Sequence, residues 1–149
     1  MQDRKIIEIL LVEDNPDDEE LAMMAFKENK ISNKVHVARD GVEALEYLFD
    51  EVDGKKLRDN QPKIVLLDLK LPKIDGLEVL KKIKSHPEAK AIPVIILTSS
   101  NQERDMVESY KIGVNSYIQK PVEFTKFVEV VRDLGFYWML LNKMPDEIK

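Results

Sequence analysis

The sequence predicts an α/β fold, a doubly wound parallel sheet of five strands with helices on both faces. Two observations lead there. Short apolar runs alternate with longer amphipathic segments along the chain, the pattern of repeated βαβ units. Two of the runs, "IVLL" at 64–67 and "VIIL" at 94–97, are apolar at every position, as strands covered on both faces are. Right-handed crossovers then favour the open, doubly wound arrangement.

Taken in order, the first strand is Ile6 to Val12. Asn15 supplies an N-cap, Pro16 a first-turn proline, and Asp17 and Asp18 charges that suit the helix dipole, so a helix runs from there to about Asn29. The second strand, Val35 to Ala38, reads as an edge, and a second helix carrying Val42, Leu45 and Leu48 follows the Asp40-Gly41 turn. Glu51 to Pro62 is a polar insertion longer than most such connections, expected to be a solvated loop. Beyond the third strand, Leu77, Leu80 and Ile83 form the buried stripe of a third helix. The same spacing assigns Met106, Val107 and Tyr110 to the buried face of a fourth helix after the fourth strand. Ser116 to Ile118 is a second edge strand, and Phe124, Phe127, Val128 and Val131 mark the buried face of the last helix.

A chain of 149 residues, 44% hydrophobic and 34% charged, is expected to form one globular domain over 1–149. A net charge of −5 disfavours a nucleic-acid surface. With no cysteine, disulfides, thiol redox chemistry and Cys-zinc sites are excluded. The start, Gln2 to Lys5 followed by an apolar run broken at Glu8, is unlike a signal peptide, and no stretch is long and apolar enough for a membrane span. A cytoplasmic protein without membrane contact is expected.

In open parallel sheets ligands bind beyond the carboxyl ends of the strands. Here those ends carry Glu13 and Asp14 after the first strand, Asp68 after the third, Thr98 and Ser99 at the fourth, and Lys120 and Pro121 after the fifth. Three carboxylates converging on one rim repel one another unless a cation lies between them, and a hard ion such as Mg²⁺ takes oxygen ligands of this kind. A carboxylate can also act as nucleophile toward phosphorus while a metal and a lysine neutralise the transferring group. Each residue has a structural alternative: Asp14 and Thr98 as helix caps, Glu13 as a solvated strand end, Lys120 as a surface lysine. Asp68 resists such an alternative best, because it interrupts the apolar run "IVLLDLKLP" with no helix starting immediately after it.

The blocks "ILLVEDN", "VLLDLKLPKIDGLEVL", "VIILTSS" and "YIQKP", in this order over about the first nine-tenths of the chain, resemble the receiver domains of two-component response regulators. The resemblance implies the flavodoxin-like strand order 2-1-3-4-5. It implies Asp68 as phospho-acceptor, with Glu13, Asp14, Asp68 and the main-chain carbonyl of Lys70 around Mg²⁺, or Mn²⁺ in its place. It implies that Thr98 and Lys120 contact the phosphoryl group, that Tyr117 is an aromatic switch, and that the Lys120-Pro121 peptide is cis. The implied donor is a phosphohistidine on a sensor histidine kinase or phosphotransfer protein. The long insertion and the segment "LGFYWMLLNKMP" are similar to standalone receivers that work with phytochrome-type histidine kinases. Residues 135–149 are a candidate tail for a partner or for a homodimer through the fourth helix, fifth strand and fifth helix, the alternative being a tail that folds back onto its own core.

Other classes fit less well. Phosphatases of the haloacid-dehalogenase type place an aspartate two residues after the nucleophile, and here that position is Lys70. Without a positioned base, hydrolysis is expected to be slow, a timer instead of a turnover catalyst. Lys70 and Ser100 are candidates for setting that lifetime. A binding-only module would not need the intact acidic set, and no glycine loop of a nucleotide-binding enzyme follows any strand. His36 and His86, the two histidines, sit at no strand end and are expected to be structural or exposed.

Overall fold

The computed structural model describes residues 7–28, 34–49, 58, 61–98, 103–114, 116–119, 123–129 and 132. Five strands, β1 (Ile7–Val12), β2 (Lys34–Ala38), β3 (Ile64–Leu67), β4 (Val94–Thr98) and β5 (Ser116–Gln119), form one parallel sheet in the order β2-β1-β3-β4-β5. The helices are α1 (Pro16–Glu28), α2 (Gly41–Leu48), α3 (Gly76–Ser85) and α4 (Glu103–Ile112), with a 3₁₀ turn at Ala89–Ala91 and a last helical segment at 124–129. Strand order and the two edge strands are as the sequence predicts, and β3 and β4 are buried at every residue.

The chain packs as two compact units. One comprises Met1–Glu19 and Asn33–Pro121, and the other Glu20–Ser32 and Val122–Lys149. In the first, Leu10, Val12, Val65, Leu67, Val94 and Ile96 alternate along three neighbouring strands and belong to one buried cluster. Leu45 and Leu48 of α2 and Val79, Leu80 and Ile83 of α3 join that cluster. In the second unit Ala22, Ala25, Phe26 and Phe127 are buried, while Phe124 and Val128 are half-buried.

Helix ends follow the local chemistry. Asn15 Oδ1 accepts from the amides of Asp17 and Asp18 at 2.8 and 3.2 Å, which satisfies two of the donors a helix start leaves without partners. Asp40 does the same for α2 through the Glu43 amide at 2.8 Å, and Asp75 for α3 through the Leu77 amide at 3.0 Å. At the other end of α2, the Arg58 amide donates to Leu48 O at 3.0 Å and Arg58 Nε to Glu46 O at 2.7 Å. The far end of the polar insertion thus supplies donors to carbonyls that the helix end leaves open. Residues 51–57, 59 and 60 of that insertion lie outside the described residues.

One sequence expectation is overturned. Met106, Val107 and Tyr110 are 39, 43 and 50% exposed, so they do not form the buried face of α4. The inward positions are Asp105, Ser109 and Ile112, at i, i+4 and i+7, and Ser109 is fully buried. Burying Ser109 leaves no polar atom stranded, because its hydroxyl donates to Asp105 O at 2.8 Å. The fully buried position of that face is a small side chain, not Met106, Val107 or Tyr110.

Both histidines are structural. His36 stacks on Tyr47 with ring centroids 4.1 Å apart. His86 is buried, lies 5.5 Å from the Phe49 ring, and accepts at Nδ1 from the amides of Glu88 and Ala89.

Candidate functional site

β1 and β3 lie side by side, and their ladders continue one residue beyond the strands. Glu13 N donates to Ala38 O at 2.9 Å, and Asp68 N donates to Val12 O at 3.1 Å. These two bonds fix the backbones of both acids at the carboxyl edge of the sheet. Glu13 and Asp68 are only 2 and 5% exposed, whereas Asp14 faces solvent.

One carboxylate oxygen from each of Glu13, Asp14 and Asp68 lies within 4.8 Å of the other two. At that spacing three negative charges repel by about 1 kcal/mol per pair even at the dielectric constant of water, and by more where two of them are buried. Neighbouring amides offset part of this. Asn15 N donates to Glu13 Oε2 at 3.2 Å, and Lys70 N donates to Asp68 Oδ1 at 3.0 Å. The donor set is all oxygen and anionic, drawn from two chain segments, which fits a hard divalent cation that retains water ligands. Such an ion would lower the mutual repulsion and offset charge on a phosphoryl group.

Two glycines hold the surrounding turns close. A Cβ on Gly76 would run into the Asp68 carbonyl oxygen and the Leu69 backbone, and Gly76 N donates to Leu69 O at 2.9 Å. A Cβ on Gly41 would run into the Ile74 carbonyl oxygen. Between them, Lys73 adopts φ 69°, the left-handed region that non-glycine residues seldom occupy. Its ammonium lies 3.4 Å from Asp40 Oδ2. The sequence reading singled out neither Gly76 nor Lys73. The Asp-Gly pair at 75–76, which repeats the pair at 40–41, was the available signal for the first. A lysine in a left-handed conformation leaves none.

Thr98 is fully buried at the end of β4, and Leu67 lies opposite Ile96, so Thr98 and Asp68 share one edge of the sheet. Tyr117 is half-buried in β5, opposite Ile96 and packed against the core. Lys70 has an exposed side chain, and only its amide is directed at Asp68. Lys120, Pro121, Ser99, Ser100, Val131 and the tail 135–149 lie outside the described residues. Of the predicted set, the structure therefore brings Glu13, Asp14 and Asp68 together and places Thr98 at the same edge.

The family model for the response regulator receiver domain matches residues 9–132. This chain belongs to the response regulator receiver family. The receiver is 42% identical over 138 residues to the probable methanogenesis regulatory protein FilR2 of Methanothrix harundinacea, covering 92% of this chain and 86% of that protein. It is 36% identical over 137 residues to the response regulator Rcp1 of Synechocystis, covering 92% of both. A crystal structure of Mn²⁺-bound Rcp1 superposes with a TM-score of 0.76 at 34% identity, over 93% of this chain and 99% of that one. The phosphorylated cyanobacterial phytochrome response regulator RcpA superposes with a TM-score of 0.78 at 36% identity, over 94 and 99%. Receiver domains are phospho-acceptor signalling proteins that bind a divalent metal and are phosphorylated by histidine kinases or phosphotransfer proteins, and the acidic cluster of this receiver fits that metal site. No described helix is long and apolar enough to cross a membrane.

Proposed function

We propose that this receiver takes a phosphoryl group onto Asp68 from a phosphohistidine, with Mg²⁺ held by Glu13, Asp14, Asp68 and the Lys70 carbonyl, and Mn²⁺ able to replace it. The observation that carries the reading is the convergence of the three carboxylates within 4.8 Å at the carboxyl edge of the sheet. When bound, the ion offsets negative charge on the transferring group. An Asp68 carboxylate oxygen attacks phosphorus; the new O–P bond forms as the bond from phosphorus to the donor imidazole breaks, and that nitrogen keeps the electron pair. The Lys70 amide, 3.0 Å from Oδ1, orients the carboxylate for this attack. Thr98 and Lys120 then contact phosphoryl oxygens, and Tyr117, with the Lys120-Pro121 segment, reports the change to the α4 and β5 face.

In this reading residues 1–149 act as a phospho-acceptor in the cytoplasm, without nucleic-acid or membrane contact. Signalling proceeds by association. The exposed Met106, Val107 and Tyr110 supply apolar surface on α4 for a homodimer or partner. Similarity to RcpA supports a phytochrome-type sensor kinase as donor.

The test is incubation of full-length protein with a small-molecule phosphodonor and Mg²⁺, followed by intact mass. Wild type gains one phosphate adduct and Asp68→Asn gains none. An adduct that forms equally on the Asn variant overturns the assignment.

A further inference from the structure

The turn between β2 and α2 contributes no carboxylate to the acidic cluster, yet it touches both segments that do. On one side Arg39 Nη2 lies 3.0 Å from each oxygen of Glu19, in the first turn of α1 just after Glu13 and Asp14. On the other side Asp40 Oδ2 meets the Lys73 ammonium at 3.4 Å, and Gly41 N donates to Pro72 O at 3.5 Å. Gly41 has no room for a side chain because the Ile74 carbonyl sits against it. The segment so gripped begins at Lys70, whose amide is bonded to Asp68, and includes the one described non-glycine residue with positive φ, Lys73. A left-handed lysine persists only where its surroundings over-determine it.

We infer that Asp40 and Lys73 are positioning residues: by clamping the Lys70–Asp75 loop onto the start of α2 they set where Asp68 and the Lys70 backbone stand relative to Glu13 and Asp14. Glu43 N bonds Asp40 Oδ1, so one carboxylate caps α2 and holds the loop at once. The inference rests on the metal-site reading given above.

Lys73→Glu is the informative variant because charge and geometry predict opposite signs. Replacing a cation by an anion on the loop that leaves Asp68 should, if it acts at all through charge, tighten divalent-metal binding. A released loop should weaken it, by roughly tenfold, the low end of what an outer partner of a metal site costs. Two measurements on the full chain decide: the Mn²⁺ dissociation constant by calorimetry, and amide hydrogen exchange at Lys70 and Gly76 against Ile95 in metal-free protein. Weaker Mn²⁺ binding, faster exchange at Lys70 and Gly76 alone, and an unchanged melting temperature are expected, with Lys73→Arg restoring both readouts. Tighter Mn²⁺ binding, or unaltered exchange at Lys70, overturns the inference. Lys73→Gln, which only deletes the charge, keeps the test open should the reversed charge unfold the protein. A wild type that binds no Mn²⁺ would defeat the metal-site reading instead, and the exchange arm would still report whether the clamp holds the loop.

Discussion

The backbone amide of Lys70 donates to Asp68 Oδ1 at 3.0 Å, so the chain leaving β3 turns back on the carboxylate that ends it. The turn closes where α3 begins, with Gly76 N on Leu69 O at 2.9 Å. The backbone that aims Asp68 is therefore built from its own next eight residues, and its tightest point is a glycine.

Gly76→Ala should consequently cost stability although the position is otherwise suited to a helix start. The added methyl would meet the Asp68 carbonyl oxygen and the Leu69 backbone, neither of which can move as a side-chain tip can. Overpacking of this kind costs about 1–3 kcal/mol, read from the urea midpoint at unchanged slope. Phosphorylation by a small-molecule donor should slow in the same variant. A midpoint equal to wild type would show that the two segments separate freely.

Asp14→Asn should change sign with metal. Without an ion, removing one of three acids within 4.8 Å relieves repulsion, and because Asp14 is exposed the gain is below about 1 kcal/mol. With Mg²⁺ at a hundredfold excess over its dissociation constant, wild type gains about 2.7 kcal/mol from binding and the variant much less. Thermal melts with and without Mg²⁺ should therefore cross. Parallel shifts in both proteins would remove Asp14 from the ion's ligands.

Asp40 predicts an acid-side pH dependence. The Glu43 amide holds its carboxyl below the ordinary value of 3.8, against the opposing effect of burial and with Lys73 assisting. A depressed carboxylate contributes stability that is fully present above the unfolded value and is lost as pH falls through the folded one. Relative to Asp40→Asn, which keeps the cap but does not titrate, wild type should hold its advantage above about pH 4 and lose it below. Urea titrations of both proteins across that range supply the comparison, and a pH-independent difference would sink the assignment.

The strands were legible as short apolar runs, and β3 and β4 could be ranked as central because 64–67 and 94–97 hold no polar residue. The acids were legible for the same reason: Glu13 and Asp68 stand where apolar runs stop, and a parallel sheet brings such stops to one edge. The turns between them were not. Lys73 reaches Asp40 only after a left-handed backbone step that its side chain does not encode, and Gly76 matters for what it abuts, not for what it is. On α4 the periodicity was real but its phase was misread, since Met106, Val107 and Tyr110 form an apolar stripe that faces outward. Hydrophobicity marks an inward face only when nothing smaller packs better, and here Ser109 does.

That inversion yields the last prediction. Ser109 is fully buried and its hydroxyl is satisfied by Asp105 O at 2.8 Å, so Ser109→Leu forces extra volume into a filled site and should cost about 1–3 kcal/mol. Tyr110 is half exposed, and Tyr110→Ser should stay within about 0.5 kcal/mol of wild type, as surface changes do. A hydrophobic stripe packed on the core would give the reverse order, with the tyrosine loss severe and the serine replacement mild or favourable. Urea denaturation of the two variants separates these cases. The Tyr110→Ser protein has a second use, because a surface that serves association loses affinity for its partner without losing fold.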